Sequence, residues 1–286
     1  DYSTNTSAQG VVVNLNTNTA NDGLGGTDTL SGFEYVAGGA GGDSVTGNTG
    51  DNFLAGNDGL DYIDGGAGND VLTGDTGEDT LIGGAGDDVL LGGVDDDWLR
   101  GGTGNDNLVG GAGSNDTADF SDATTAVTVS LVNGAGVASA PGSTGVDQLS
   151  GIENLVGGSA GDTLAGDTAA NIISGGDGAD SVFGGLGADT LKGGAGGDAD
   201  TIDGGDGIDM LDLRELAGPI AVNLGTRQVA SSLGSISGGT SKGDGTDTIA
   251  NIENLIGSGS GDTMVGSAGD NVLDGSGGGD VIDAGA

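Results

Sequence analysis

From Gly38 onward the chain repeats itself every nine residues, and this register limits the fold more tightly than any other feature. The run reads GGAGGDSVT, GNTGDNFLA, GNDGLDYID, GGAGNDVLT, GDTGEDTLI, GGAGDDVLL, GGVDDDWLR and GGTGNDNLV, eight uninterrupted nonads through Val109. A ninth begins as GGAGSND at Gly110 and then departs from the pattern. A second block runs from Gly157 to Asp212, and its fifth repeat, GGAGGDADTID, carries two extra residues. A third starts at Gly257 with GSGSGDTMV, GSAGDNVLD and GSGGGDVID. Position six of each complete nonad is Asp or Asn, and position eight is apolar.

Glycine at positions one, two and often four permits a tight turn with positive φ. Positions seven to nine then form a short strand. Alternate side chains of a strand face opposite sides, so position eight points inward. One turn and one strand make half a coil, and two nonads make a coil of 18 residues. Such coils stack at about 4.8 Å. The expected fold is therefore all-β, a parallel β-roll or β-helix solenoid with two facing apolar ladders. No segment has the 3.6-residue periodicity of an amphipathic helix. With aromatic residues at only 3%, the core is too thin to outweigh a backbone entropy cost of about 1–2 kcal/mol per residue.

Charge points to what supplies the difference. There are 44 acidic and 5 basic residues, a net charge of −39. That excludes nucleic acid, which needs a basic patch, and disfavours anionic membranes. No apolar stretch approaches the roughly 20 residues of a membrane span, so membrane insertion is not expected. With no cysteine or histidine, Ser-His-Asp catalysis is excluded, and any metal must be held by oxygen. Stacking sets each position-six side chain beside the one 18 residues on. The candidate ligands are Asp43, Asp61, Asp79, Asp97 and Asn115 on one edge of the first block, and Asn52, Asp70, Asp88 and Asp106 on the other. The second block offers Asp162, Asn171, Asp180, Asp189, Asp198, Asp200 and Asp209, and the third Asp262, Asn271 and Asp280. Stacked carboxylates repel unless a cation lies between them, and turn carbonyls add further oxygens. Six to eight oxygen ligands in a flexible site suit Ca²⁺ better than Mg²⁺, and the missing nitrogen and sulfur ligands disfavour zinc. Roughly a dozen calcium ions are expected, enough to offset more than half of the formal charge. The second nonad of every block carries Asn, at 52, 171 and 271. Two readings stand: a neutral ligand suffices there, or a weaker site tunes the calcium threshold.

The pattern GGxGxDxUx, with U a large apolar residue, resembles the repeats-in-toxin family of haemolysin-type calcium-binding repeats. The resemblance implies ions bridging successive turns on both edges of the roll. It also implies one-step export by a type I secretion system of a Gram-negative bacterium, and a secreted, extracellular or cell-surface location. The chain would stay unfolded in low cytosolic calcium and fold outside, where binding drives folding by linkage.

A longer repeat lies above the nonads. Asp1-Tyr2-Ser3, Asp119-Phe120-Ser121 and Asp212-Leu213-Arg214 begin three similar units. Each continues through an alternating strand (VVVNL, VTVSL, IAVNL), a Gly/Ser/Thr-rich loop, and TDTLSGFEYVAG, VDQLSGIENLVG or TDTIANIENLIG, before its nonads. The expected organisation is one continuous solenoid of three modules. They span 1–118 (irregular coils 1–37, nonads 38–118), 119–211 (irregular coils 119–156, nonads 157–211) and 212–286 (irregular coils 212–256, nonads 257–286), the last truncated. The loops at 132–145 and 225–245 are expected to bulge from one edge. The opening residues carry no signal peptide and the end falls inside a repeat, so the chain reads as a segment of a longer protein.

No singular acid cluster suggests an enzyme. Glu34, Glu153 and Glu253 recur in the three units and read as hydrogen-bonding or metal residues. Arg100, Lys192, Arg214, Arg227 and Lys242 are expected to pair locally with acids. Trp98, at outward position seven, reads as a surface residue, with sugar stacking or an assembly contact as the alternative. Iterated modules without catalytic apparatus suggest a structural region of a surface-layer protein, adhesin or extracellular filament, with calcium, further copies of itself or a cell-surface polysaccharide as partners. The alternative is the calcium-dependent folding and secretion region of a larger protease, lipase or polysaccharide epimerase.

Overall fold

A computed structural model of the chain describes residues 2–4, 10–23, 25–140, 145–195, 198–225, 228–230 and 246–285. Every regular element among them is a β-strand, and no helix is long and apolar enough to cross a membrane. Contacts divide the chain into two compact units, residues 1–122 with 134–154 and residues 123–133 with 155–286.

In the first unit, alternate nonads feed two parallel sheets. One holds Ser44–Thr46, Tyr62–Ala67, Thr80–Ala85 and Trp98–Thr103. The other holds Phe53–Asp58, Val71–Thr76, Val89–Val94 and Asn107–Gly111. Tyr62 faces Thr80 and Val71 faces Val89, so two nonads do make one coil. The second unit repeats the plan. Ile172–Ser174, Thr190–Lys192, Met210–Asp212, Asn254–Ile256 and Val272–Asp274 lie in one sheet, and Thr163–Ala165, Ser181–Gly187 and Thr201–Gly207 in the other.

The sequence places strands at positions seven to nine. In the middle nonads the structure extends them to six residues, through position three of the next repeat, as in Tyr62–Ala67. The turn backbone causes this, because it pairs with the turn one coil on: Gly66 with Gly84, and Ala67 with Ala85. Gly84 has φ +110, and a Cβ there would overlap the Gly66 carbonyl, so glycine lets these two turns stack closely.

Strand alternation points positions six, eight and one inward. Val45, Ile63, Leu81 and Leu99 form one ladder, and Leu54, Leu72, Leu90 and Leu108 the other, all fully buried. Position six lies at the rim of this core, and its carboxylate fills the space where position one would carry a side chain. A Cβ on Gly65 would stand 2.5 Å from Asp70 Oδ2. The position-one glycine is thus a consequence of the inward carboxylate.

The segments outside the nonads continue the inner ladder, with Val13 and Val222 buried. The described parts of their loops add antiparallel strands. Val12–Asn14 pairs in parallel with Ser44–Thr46 and antiparallel with Thr19–Asn21, which pairs antiparallel with Thr27–Thr29. Ala221–Asn223, Gln228–Ala230 and Thr246–Ala250 form the same meander, and Gly136–Ala140 pairs antiparallel with Gly145–Ser150. Antiparallel pairs of this kind need no crossover connection. Residues 141–144, 226–227 and 231–245 of these loops, with Arg227 and Lys242, lie outside the described residues.

The other basic residues pair as their sequence positions suggest. Buried Asp119 accepts hydrogen bonds from Trp98 Nε1 at 2.9 Å and Arg100 Nε at 2.8 Å, and pairs with the Arg100 guanidinium. Asp212 pairs with Arg214 at 2.7 Å and with Lys192 at 3.9 Å. Trp98 is thus half-exposed and tied to the first residue of the second unit of the long repeat.

Leu90→Ala leaves a cavity in a core one side chain thick. Such substitutions cost about 2–5 kcal/mol, and urea denaturation in saturating calcium should show a loss in that range.

Candidate metal centres

Each position-six carboxylate bonds along the stack. Asp79 Oδ1 accepts the backbone N–H of Asp61 at 2.8 Å, Asp88 Oδ1 that of Asp70 at 2.7 Å, and Asp97 Oδ1 that of Asp79 at 2.9 Å. Asp61, Asp70, Asp106, Asp180, Asp189, Asp209 and Asp280 do the same for the amides one coil before them. The stack therefore holds Oδ1 of each carboxylate in place with a neutral donor.

The second oxygen has no such partner. Oδ2 of Asp61, Asp70, Asp79, Asp88, Asp97, Asp106, Asp180, Asp189 and Asp209 is buried without a hydrogen bond, although each residue is at most 3% exposed. An unpaired buried charge is costly unless a counter-charge meets it. These oxygens share the space beside position one with a carbonyl of the next turn: Asp70 Oδ2 and the Gly83 carbonyl lie 2.5 and 2.7 Å from where a Cβ on Gly65 would stand. The position-four carbonyl of Gly68 points toward Gly86 of the next coil. Among the described residues no three acidic side chains converge on one point. Carboxylates come in stacked pairs, and carbonyls must supply the remaining ligands. This all-oxygen donor set, with orphaned charged oxygens in it, fits Ca²⁺.

Burial pushes these groups up. Asp61 is raised to about 6 and Asp79, Asp88, Asp97 and Asp106 to about 7, with repulsion from neighbouring carboxylates adding to the effect of burial. Asp180 is raised to about 7 and Asp189 to about 6 in the same way. Burial also raises Asp43, Asp70, Asp162, Asp200 and Asp209.

One expected position shifts, and of the two candidates in the long turn one lies on the ladder. In the ninth nonad the ladder position belongs to Asp116, not Asn115. Trp98 pairs with Thr117 and Leu99 with Ala118, so one inserted residue moves the register. Asp116 Oδ1 accepts the Asp97 amide at 2.8 Å, and Asn115 turns outward to Asp96 at 2.9 Å. In the long turn Asp200 takes the ladder position, accepting the Asp180 amide at 2.9 Å, while Asp198 is exposed.

The nonad count misses two further carboxylates. Asp147 Oδ1 accepts the Asp106 amide at 2.9 Å and Asp247 Oδ1 the Asp200 amide at 3.0 Å. Burial raises both to about 6. Their signal lies in the sequence: GSTGVDQLS at 142–150 has glycine at positions one and four, KGDGTDTIA at 242–250 has it at positions two and four, and both keep Asp at six and an apolar residue at eight.

The turns are of two kinds. In the first two nonads of every block the position-six side chain accepts the position-two amide of its own turn. Asp43, Asp162 and Asp262 do so through Oδ2 at 2.6–2.7 Å. Asn52, Asn171 and Asn271 do so through Oδ1 at 2.7–2.8 Å. From the third nonad on, position two has positive φ (Asn57, Gly66, Asp75, Gly84, Gly176, Ser276), its amide turns away, and the carboxylates of the first two blocks other than Asp200 are left with a buried, orphaned oxygen. Asparagine recurs where its single oxygen already has a local donor.

A family model described as RTX calcium-binding nonapeptide repeat (4 copies) matches residues 37–72, 64–99, 73–108, 92–116, 156–191 and 256–286, together just over half of the chain. A search of curated proteins returns no match.

Because the folded, metal-free state holds these carboxyls above their ordinary value near 3.9, it binds more protons than the unfolded chain between about pH 4 and 7. Its stability is greatest below about pH 4 and falls as pH rises through 6–7. In chelator, far-UV circular dichroism should show more β-structure at pH 4 than at pH 7.5. The calcium midpoint should rise as pH falls from 7.5 to 5.5, where protons compete for the same oxygens. Spectra and midpoints indifferent to pH would contradict the burial of these groups.

Proposed function

The chain belongs to the RTX calcium-binding nonapeptide repeat family, and we propose that it is the calcium-folded structural repeat region of a secreted bacterial cell-surface protein, in a surface layer, adhesin or extracellular filament. The observation that carries the reading is the row of inward carboxylates with orphaned oxygens. A chain of net charge −39 with this rim cannot stay compact at neutral pH without cations. In low calcium it remains extended, a state suited to passage through a type I secretion channel. In millimolar external calcium each filled turn adds its binding free energy to folding. The turns from the third nonad of each block onward are the metal sites in this reading, roughly a dozen ions for the family of sites.

The structural role follows from iteration. A solenoid lengthens by adding coils and ends in open sheet edges, which pair with further copies unless covered. The ring of Tyr35 stacks on Phe53 with centroids 5.2 Å apart, and both are exposed on an outer face. They add an aromatic surface that suits assembly or a cell-surface polysaccharide. Sedimentation velocity across a range of protein concentrations separates this from an accessory role in a larger secreted enzyme. Self-association in millimolar calcium, absent in chelator, is the expected result. A monomer at every concentration in calcium would contradict the lattice reading and favour the accessory one.

A further inference from the structure

The carboxylate ladder does not stop where the nonads stop. The backbone N–H of Asp116, in the last turn of the first block, donates to Glu153 Oε2 at 3.0 Å. The N–H of Asp209, in the last turn of the second, donates to Glu253 Oε2 at 3.0 Å. These are the bonds that a position-six aspartate would accept one coil further on. The neighbouring amides keep the pattern too: Asn154 N–H bonds to the Asp116 carbonyl at 2.8 Å and Asn254 N–H to the Asp209 carbonyl at 2.9 Å. Glu153-Asn154-Leu155 and Glu253-Asn254-Leu255 thus occupy positions six to eight of a coil that has lost its glycine turn.

Asp116 and Asp209 are at most 1% exposed, and Oδ2 of each is without a hydrogen-bond partner. Within a block such an oxygen faces the position-one carbonyl of the next turn. Here the facing carbonyls come from outside the repeats. Asp116 Oδ2 lies 2.6 Å from where a Cβ on Gly110 would stand, and the Gly151 carbonyl crowds the same point. Asp209 Oδ2 lies 2.6 Å from the corresponding point on Gly204, crowded there by the Asn251 carbonyl.

We propose that Glu153 and Glu253 each complete a further calcium site, with Asp116 and the Gly151 carbonyl in one case and Asp209 and the Asn251 carbonyl in the other. The proposal rests on the calcium reading of the nonad turns and extends it to Glu153 and Glu253, outside the family match, which leaves 117–155 and 192–255 unmatched. A cation at each place would tie the last turn of a block to the coil that leads into the next, so that the joints of the long repeat form with calcium as the turns do.

Glu153→Gln with Glu253→Gln in the 286-residue chain keeps an oxygen to accept each amide and removes only the charge. Native mass spectrometry at saturating calcium counts the ions bound, and circular dichroism reports the fold. Two fewer ions in the double variant, one fewer in each single variant, and an unchanged spectrum are expected. If the double variant fails to fold, the single variants decide by the same count. An unchanged count overturns the proposal and leaves the nonad sites standing. An unsubstituted chain that binds no calcium overturns the nonad reading itself.

Discussion

One constraint organises this molecule: strand alternation turns the carboxylate of position six toward the core and not toward water. Asp70, Asp88 and Asp209 are as buried as the leucines two residues beyond them. From that placement the rest follows. Position one must be glycine because the carboxylate occupies its side-chain space. The carboxyls rise toward neutral pH because burial opposes their charge. In the turns from the third nonad of the first two blocks onward, Asp200 apart, the fold must meet a second oxygen that no group of the chain satisfies.

The same side chain couples neighbouring coils. Its Oδ1 takes an amide from the coil before, and its Oδ2 faces a carbonyl of the coil after, so each carboxylate has a part in two gaps. Solenoids are governed by nearest-neighbour terms of this kind. Here the neighbour term contains both a hydrogen bond and an electrostatic debt, and a cation that satisfies one turn also settles the geometry of the next. The opening turns of each block differ. Asp43, Asp162 and Asp262 close on their own position-two amides, and the Asn-bearing turns after them do the same. A block therefore begins with two turns whose local bonds are made within the chain, against which the later turns stack.

Much of this was legible in the residues. The nine-residue register gave the coil length, the two sheets and the inward ladder, since period-two alternation leaves only one face for position eight. The pairing of Asp61, Asp79 and Asp97, and of Asp70, Asp88 and Asp106, followed from the same count. Register counting failed where the count itself changes. One inserted residue makes Asp116 and not Asn115 the ladder residue, whereas in the long turn Asp200 takes position six as the count has it. Asp147 and Asp247 were hidden because their turns, GSTGVDQLS and KGDGTDTIA, stand alone outside the three uninterrupted blocks, one with Ser at position two and the other with Lys at position one. The antiparallel meanders escaped notice because VVVNL and IAVNL alternate in the same way whichever direction their neighbour runs. The two kinds of turn depend on φ at position two, where Gly39 and Gly66 are the same residue in different conformations.

The most direct measurement is far-UV circular dichroism of the chain during a calcium titration at neutral pH, with magnesium as control. A chain whose inward carboxylates need a cation is a coil in chelator and converts cooperatively to β-structure with calcium, and magnesium does not replace it. A β spectrum already complete in chelator at neutral pH, and unchanged by calcium, would contradict the account at its centre.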